Sequence, residues 1–181
     1  MNQGITQDQA EAIFRDYSHQ IYRASLFLTK SPTLADDITQ DTFIQVFRKY
    51  HSYDPAKPLL PWIYKIAVNM TRKTLRKQKW LFLTKEVPDN EGHNYVEDVV
   101  LKNELDEEIW KEINKLTLKG REVIVMHYYS GLKLSETATA LGIPLGTCKS
   151  RLNAALNSLG KQLHDNNIMM ANEGEDLYGT I

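Results

Sequence analysis

The sequence is as informative in what it lacks as in what it holds. Its 181 residues include a single cysteine, Cys148. An intrachain disulfide and a cysteine-rich zinc site are thereby excluded, and a reducing cytoplasm suits the chain. No apolar run nears the roughly 18 residues of a membrane span, so no direct membrane insertion is expected. Met1 to Glu11 lacks the basic-then-apolar order of a secretory signal. The nine glycines form no phosphate-cradling loop, and the five histidines have no metal-ligand spacing. No Ser/His/Asp or Cys/His set suggests nucleophilic catalysis. Alternating strand patterns are missing too. Hydrophobic residues at 42% and charged residues at 25% exclude global disorder.

Charge of one sign is missing locally. Residues 57–85 carry eight basic and no acidic side chains, and residues 113–164 carry seven basic and two acidic. Between them, residues 86–112 carry ten acidic and two basic, and residues 165–181 add four acidic and no basic. The net charge of −1 conceals two surfaces suited to a polyanion, separated by a segment that avoids one. The plainer reading of each block is a solvated helix face.

The periodicity is helical nearly throughout. Thr6 and Gln9 form a capping box ahead of Ala10, Ile13, Phe14, Tyr17, Ile21, Ala24 and Leu28. Ser31-Pro32 starts a second helix bearing Leu34, Ile38, Phe43, Val46, Phe47 and Tyr50. Pro55, Pro58 and Pro61 place a loop over 51–61. A third helix runs from Trp62 to about Lys79, with Ile63, Ile66, Ala67, Met70 and Thr74 inward. Residues 81–103 read as a flexible acidic linker. Further helices cover Leu105 to Leu116 and Lys119 to Tyr129. Ser135 caps a short helix ending at Gly142, and a last helix opens near Pro144, followed by an acidic, frayed tail from Asp165. The expected fold is all-α: two small helical domains, residues 1–80 and 104–164, joined by the linker 81–103 and followed by the tail 165–181.

Three clusters carry chemistry. Residues 134–159 have the layout of a helix-turn-helix: Gly142 at a left-handed cap, Ile143 inward, Pro144 opening the second helix. Removing the stripe Cys148, Leu152, Ala155, Leu159 and Leu163 leaves Thr147, Ser150, Arg151 and Ala154 outward, with Lys149 beside them. Such a face offers donors to base edges and phosphates; otherwise it is a hairpin that merely packs. Cys148 reads as a small core residue. On the third helix, Lys65, Asn69, Arg72 and Arg76 share one face, flanked by Lys73 and Lys77, with Trp62, Tyr64 and Trp80 nearby. Cations with rings suit opened or single-stranded nucleic acid; Trp62 reads equally as a core anchor. In Asp36-Asp37-Ile38-Thr39-Gln40-Asp41 the carboxylates lie one turn apart, as a basic partner or, alternatively, Mg²⁺ would need.

Together these segments resemble the extracytoplasmic-function (group IV) sigma factors of bacterial RNA polymerase. Ala35 to Arg48 (ADDITQDTFIQVFR) is similar to the family's polymerase-binding helix. Pro61 to Asn69 (PWIYKIAVN) is similar to its P-W-L-x-x-I-A-x-N segment, and Leu141 to Leu152 (LGIPLGTCKSRL) to its recognition-helix motif. Three such matches in order, over about residues 8–164, are specific. Asn153, Ala154 and Ala155 stand where the family is more basic, Pro58-Leu59-Leu60 where an aromatic or basic residue precedes Pro-Trp, and Thr137 where isoleucine is common.

The resemblance implies a transcription initiation factor of two helical domains, not an enzyme in its own right and without a cofactor. Core RNA polymerase would be met through Asp36, Asp37, Gln40, Asp41, Phe43, Ile44 and Phe47. Trp62, Lys65, Asn69, Arg72, Lys73 and Arg76 would hold the minus-ten element of promoter DNA, with the loop near Ser52 to Leu60 capturing a flipped base. Thr147, Lys149, Ser150 and Arg151 would read the minus-thirty-five element in the major groove. The linker, by the same resemblance, would thread toward the RNA exit path. An anti-sigma factor is an expected partner. The rival readings are a stand-alone helix-turn-helix regulator and a metal-dependent nuclease or phosphohydrolase using Asp36, Asp37 and Asp41.

Overall fold

The structure, a computed structural model, describes residues 5–84 and 104–175. Its described residues form only helices and turns, as the periodicity predicts. None of the helices is long and apolar enough to cross a membrane, among the described residues.

The first region is three helices. Helix α1 spans Gln7–Thr29. The Gln9 N–H donates to Thr6 Oγ1 and the Thr6 N–H to Gln9 Oε1, at 3.3 and 3.1 Å, which satisfies two otherwise unpaired donors. The helix ends where Lys30 turns left-handed, φ 60°. Helix α2, Pro32–Lys49, starts with Ser31 accepting from the Leu34 N–H and Pro32 in the first turn. After a 3-10 turn at Tyr50–Ser52 and the proline loop, α3 spans Leu59–Thr84. The buried stripes are Ile13, Ile21, Ala24 and Leu28 of α1, Ile38, Phe43 and Val46 of α2, and Ile63, Ala67 and Val68 of α3.

The second region holds α4 (Glu104–Lys115), α5 (Leu118–Ile124), α6 (Leu134–Leu141) and α7 (Leu145–Glu175). Gly142 is left-handed, φ 66°, and accepts the turn between α6 and α7 without a Cβ penalty. Ile143 bonds back to Ala138, and Cys148, Leu152 and Ala155 line the buried side of α7.

Several boundaries differ from expectation. Helix α3 continues to Thr84, four residues into the expected linker, because nothing before Thr84 breaks a helix. The remainder of that span, 85–103, lies outside the described residues. Helix α7 likewise continues to Glu175, so residues 165–175 are helical rather than a frayed tail; 176–181 lie outside the described residues. Helix α6 begins at Leu134, with Lys133 rather than Ser135 at the cap: the Lys133 N–H donates to Glu136 Oε2 at 2.8 Å. The expected helix from Lys119 to Tyr129 widens into a π turn at Val125–Tyr129, where the Ser130 N–H reaches the Val125 carbonyl at 2.8 Å.

The two regions do not stand apart. One contiguous apolar core runs through both. The ring of Phe27 in α1 stacks on Trp110 of α4 at 3.7 Å and 4°, and meets Tyr129 edge-on at 4.5 Å. The π turn swings Tyr129 into this contact, with the Arg23 guanidinium over its ring at 5.0 Å. The most extensive packing between the regions is α3 against α6.

Candidate nucleic-acid interface

On α2 the acidic motif faces water. Asp36, Asp37, Gln40 and Asp41 are exposed, and Ile44 beside them is 45% exposed despite its apolar side chain. Phe47 is half-buried. Phe43 departs from the set: it is 2% exposed, packed edge-on to Phe14 at 5.0 Å, and supports the face from below instead of lining it. Among the described residues no three His, Cys, Asp or Glu side chains converge as metal ligands would.

The proline loop, the start of α3 and Ser135, Glu136 and Thr139 of α6 line a half-open cavity of about 390 Å³. Ser52, Tyr53, Asp54, Lys57, Trp62 and Lys65 are among its walls. Asp54 keeps the loop folded: its carboxylate accepts from the Ala56 N–H at 3.1 Å and meets Lys57 Nζ at 3.2 Å, which lowers its pKa. The Tyr53 ring lies 5.3 Å from that of half-buried Trp62. Trp62 is thus both a packing residue and a wall of the cavity. Tyr64, read from the sequence as a stacking aromatic, is instead 1% exposed, because it lies on the inner side of α3 with Ile63, Ala67 and Val68. Burial pushes its phenol up to about 12.

Further along α3, Lys65, Asn69, Lys73 and Arg76 are exposed, as their shared face predicts. Arg72 is the exception. Its Nε and Nη2 donate to the two carboxylate oxygens of Glu122 in α5, both at 2.7 Å, and its Nη1 donates to the Leu141 carbonyl at 3.2 Å. Glu122 is 1% exposed. Hydrogen bonding to that carboxylate pushes the Arg72 pKa further up, so the pair stays charged on its arginine side. Asn69, Arg72, Lys73, Arg76 and Lys79 line one side of a groove of about 830 Å³, and Lys119 and Arg151 line the other.

On α7, Lys149 and Ser150 are exposed, while Thr147 and Arg151 are half-buried. Ser150 Oγ donates to the Thr147 carbonyl at 3.0 Å. Cys148 is fully buried, and that burial raises its thiol pKa.

Residues that motif reading passed over hold the regions together. Arg121, buried, donates to the Leu28 carbonyl at the end of α1 at 3.3 Å. It also donates to the Asn114 and Leu116 carbonyls at 3.2 Å, so one guanidinium serves two helix ends. Lys30 Nζ reaches the Asn114 carbonyl at 2.9 Å, and its pKa is lowered by burial and by Arg121. A signal for this contact was present. Glu122 and Glu136 are the only acidic residues in 113–164; Glu122 meets the first region at Arg72, while Glu136 accepts from the Lys133 N–H of its own helix start and lines the proline-loop cavity.

With this geometry in hand, comparison with known proteins is specific. The Sigma-70 region 2 family model matches residues 13–81, and the Sigma-70, region 4 model matches residues 106–159. The chain is 34% identical to the ECF RNA polymerase sigma factor SigW of Bacillus subtilis, over 88% of this chain and 91% of that one. It is 30% identical to the ECF RNA polymerase sigma factor RpoE of Cereibacter sphaeroides, over 88% of this chain and 91% of that one. Among solved structures, the sigma factor RpoE of Bartonella quintana, crystallised with the anti-sigma factor NepR, has a TM-score of 0.69. That match has 24% identity over 85% of this chain and 96% of that one. CnrH in complex with the cytosolic domain of CnrY reaches a TM-score of 0.65 at 22% identity, over 88% of this chain and 90% of that one; both likenesses concern the fold. Helical order, motif placement and full-length similarity agree: the chain belongs to the sigma-70 family, among the ECF RNA polymerase sigma factors.

Proposed function

We propose that this sigma factor is of the group IV type and divides its work among three faces. The acidic face of α2, with Asp36, Asp37, Gln40, Asp41 and Ile44, binds core RNA polymerase, and Phe43 and Phe47 shape it. The basic face of α3 with Trp62, Lys65, Asn69, Arg72, Lys73 and Arg76 holds the minus-ten element. The cavity walled by Ser52, Tyr53 and Trp62 receives a base turned out of the stack, at a cost of a few kcal/mol that cavity and cations offset. Thr147, Lys149, Ser150 and Arg151 read the minus-thirty-five element in the major groove. The domains 1–80 and 104–164 thus carry one promoter element each. An anti-sigma factor is a further partner, by analogy with the two solved complexes. The observation that carries this reading is the segregation of charge: an exposed acidic face on α2 and an acid-free basic face on α3, beside a cavity large enough for a planar ring.

Run-off transcription with purified core polymerase tests it. Promoter-specific transcripts are expected only when the chain is present. Arg151→Ala should lose upstream-element preference, by roughly 1–3 kcal/mol for a bidentate base contact. Asn69→Ala should impair opening, and a pre-melted bubble at the downstream element should rescue Asn69→Ala but not Arg151→Ala. Equal rescue of both variants, or of neither, overturns the split. A tight footprint without polymerase favours a stand-alone regulator.

A further inference from the structure

One polar pocket belongs neither to the polymerase face nor to the promoter faces. It measures about 410 Å³ and is walled by α1, by α3 and by the turn that follows α5. Helix α1 contributes Arg23, with Gln20 and His19 at the exposed rim; α3 contributes Tyr64, and the turn contributes Tyr129 and Ser130. Three of these side chains carry a buried polar atom with no hydrogen-bond partner among the described residues: Arg23 Nε, the Tyr64 hydroxyl and the Ser130 hydroxyl. Tyr64 is 1% exposed, and its hydroxyl lies near that of Ser130 without a hydrogen bond of normal geometry. Buried polar atoms are nearly always paired, so three without a partner around one pocket call for an explanation. The backbone is unusual there as well. The π turn at Val125–Tyr129 sets Tyr129 and Ser130 at the pocket, and such turns recur at functional sites. The turn is pinned: the Leu132 N–H donates to the Met126 carbonyl at 3.2 Å, and His127 Nδ1 meets the Leu132 carbonyl at 2.8 Å.

The chemistry of the walls selects the ligand. No carboxylate lines the pocket. Arg23 can only donate, and its guanidinium is set over the Tyr129 ring at 5.0 Å. Burial pushes the Tyr64 phenol up to about 12, so at neutral pH it keeps its proton and donates too. A cation or an apolar ligand would leave these donors unmet, whereas an oxyanion meets them. Three donors from three elements match the three terminal oxygens of a phosphate group better than the two of a carboxylate. A bare phosphate would fill only part of the roughly 410 Å³, a water's share of liquid being about 30 Å³. Room remains for a small organic body toward Gln20 and His19. We infer that the pocket is a binding site for a phosphate group, free or carried on a small ester, with Arg23 supplying the charge and Tyr64 and Ser130 the neutral donors. The Tyr64 hydroxyl is then a binding group retained at a cost to stability. Since α1 and α3 belong to the first region and the π turn to the second, the ligand is held by both. None of the walls is a residue assigned above to polymerase or to promoter DNA, so the site stands or falls apart from that reading.

Calorimetric titration of the full chain with inorganic phosphate and with glycerol 3-phosphate tests the site, sodium chloride at matched ionic strength serving as the blank. Saturable one-to-one binding is expected, with a thermal midpoint raised by a few degrees at saturating ligand. Tighter binding of glycerol 3-phosphate identifies an ester as the ligand type; equal binding of both probes identifies the free ion. The basic faces of α3 and α7 also attract phosphate, so uncharged substitutions locate the site. Tyr64→Phe removes one hydroxyl and no charge, and should weaken binding about tenfold. Ser130→Ala should do likewise, and Arg23→Met should abolish binding. No binding beyond the sodium chloride blank overturns the inference. Parental affinity in either folded hydroxyl variant overturns it as well, because the phosphate then sits on the basic faces. Should Tyr64→Phe not fold, Ser130→Ala, whose side chain is only half-buried, decides alone.

Discussion

Tyr64→Phe should stabilise this protein, and more so in alkali. The Tyr64 ring is 1% exposed, and its hydroxyl has only the Ser130 hydroxyl near it, with no hydrogen bond of normal geometry between them. A buried, unsatisfied hydroxyl costs about 1–3 kcal/mol. Removing it leaves the ring's apolar packing in place, so the variant should gain about 1 kcal/mol at pH 7. Burial also pushes the phenol from 10.0 up to about 12. A folded-state pKa above the unfolded one means stability that is fully present below pH 10 and is lost as pH rises toward 12. The total is on the order of 2–3 kcal/mol, with about 1.4 kcal/mol gone by pH 11. Phenylalanine has no such proton. The stability gap between variant and parent should therefore widen by about 1.4 kcal/mol between pH 7 and pH 11. Tyr22, Tyr53 and Tyr129 are also raised by burial, but they are common to both proteins and cancel in the difference. Urea unfolding followed by tryptophan emission at both pH values measures it. A Phe variant at least 1 kcal/mol less stable than the parent at pH 7, or a gap that does not change with pH, refutes the reasoning.

Two further outcomes follow from the geometry. Asp37→Arg and Asp41→Arg should abolish co-purification with core polymerase while leaving circular dichroism unchanged, since both side chains are exposed and reversing a charge across an electrostatic contact costs several kcal/mol; normal assembly of both would remove α2 from the polymerase contact. Gly142→Ala should cost about 1–2 kcal/mol purely through its left-handed backbone, because a Cβ there meets nothing within 4 Å. A thermal midpoint lowered by a few degrees is expected, and an unchanged one would show that the α6–α7 turn relaxes.

Local chemistry determined much of this protein in advance. The Thr6–Gln9 box, Ser31-Pro32 and Gly142 each satisfy or release backbone groups within a few residues, so helix ends there were legible from the sequence. Periodicity gave the outward sets Lys65/Asn69/Arg76 and Asp37/Asp41, because solvent and core select opposite faces of one helix. Tertiary packing decided the rest. Phe43 and Tyr64 belong to functional-looking motifs yet lie in the core, since burial depends on which neighbour covers a helix face. The π turn at Val125–Tyr129 has no local breaker and serves to bring Tyr129 against Phe27 and Arg23. The contact of Arg72 with Glu122 spans fifty positions along the chain, and no period of 3.6 residues encodes it. Charge distribution named the two basic blocks; only the fold could show that Lys119 and Arg151 share a groove with Asn69, Lys73 and Arg76, because that depends on an apolar core shared between two regions whose own patterns are complete.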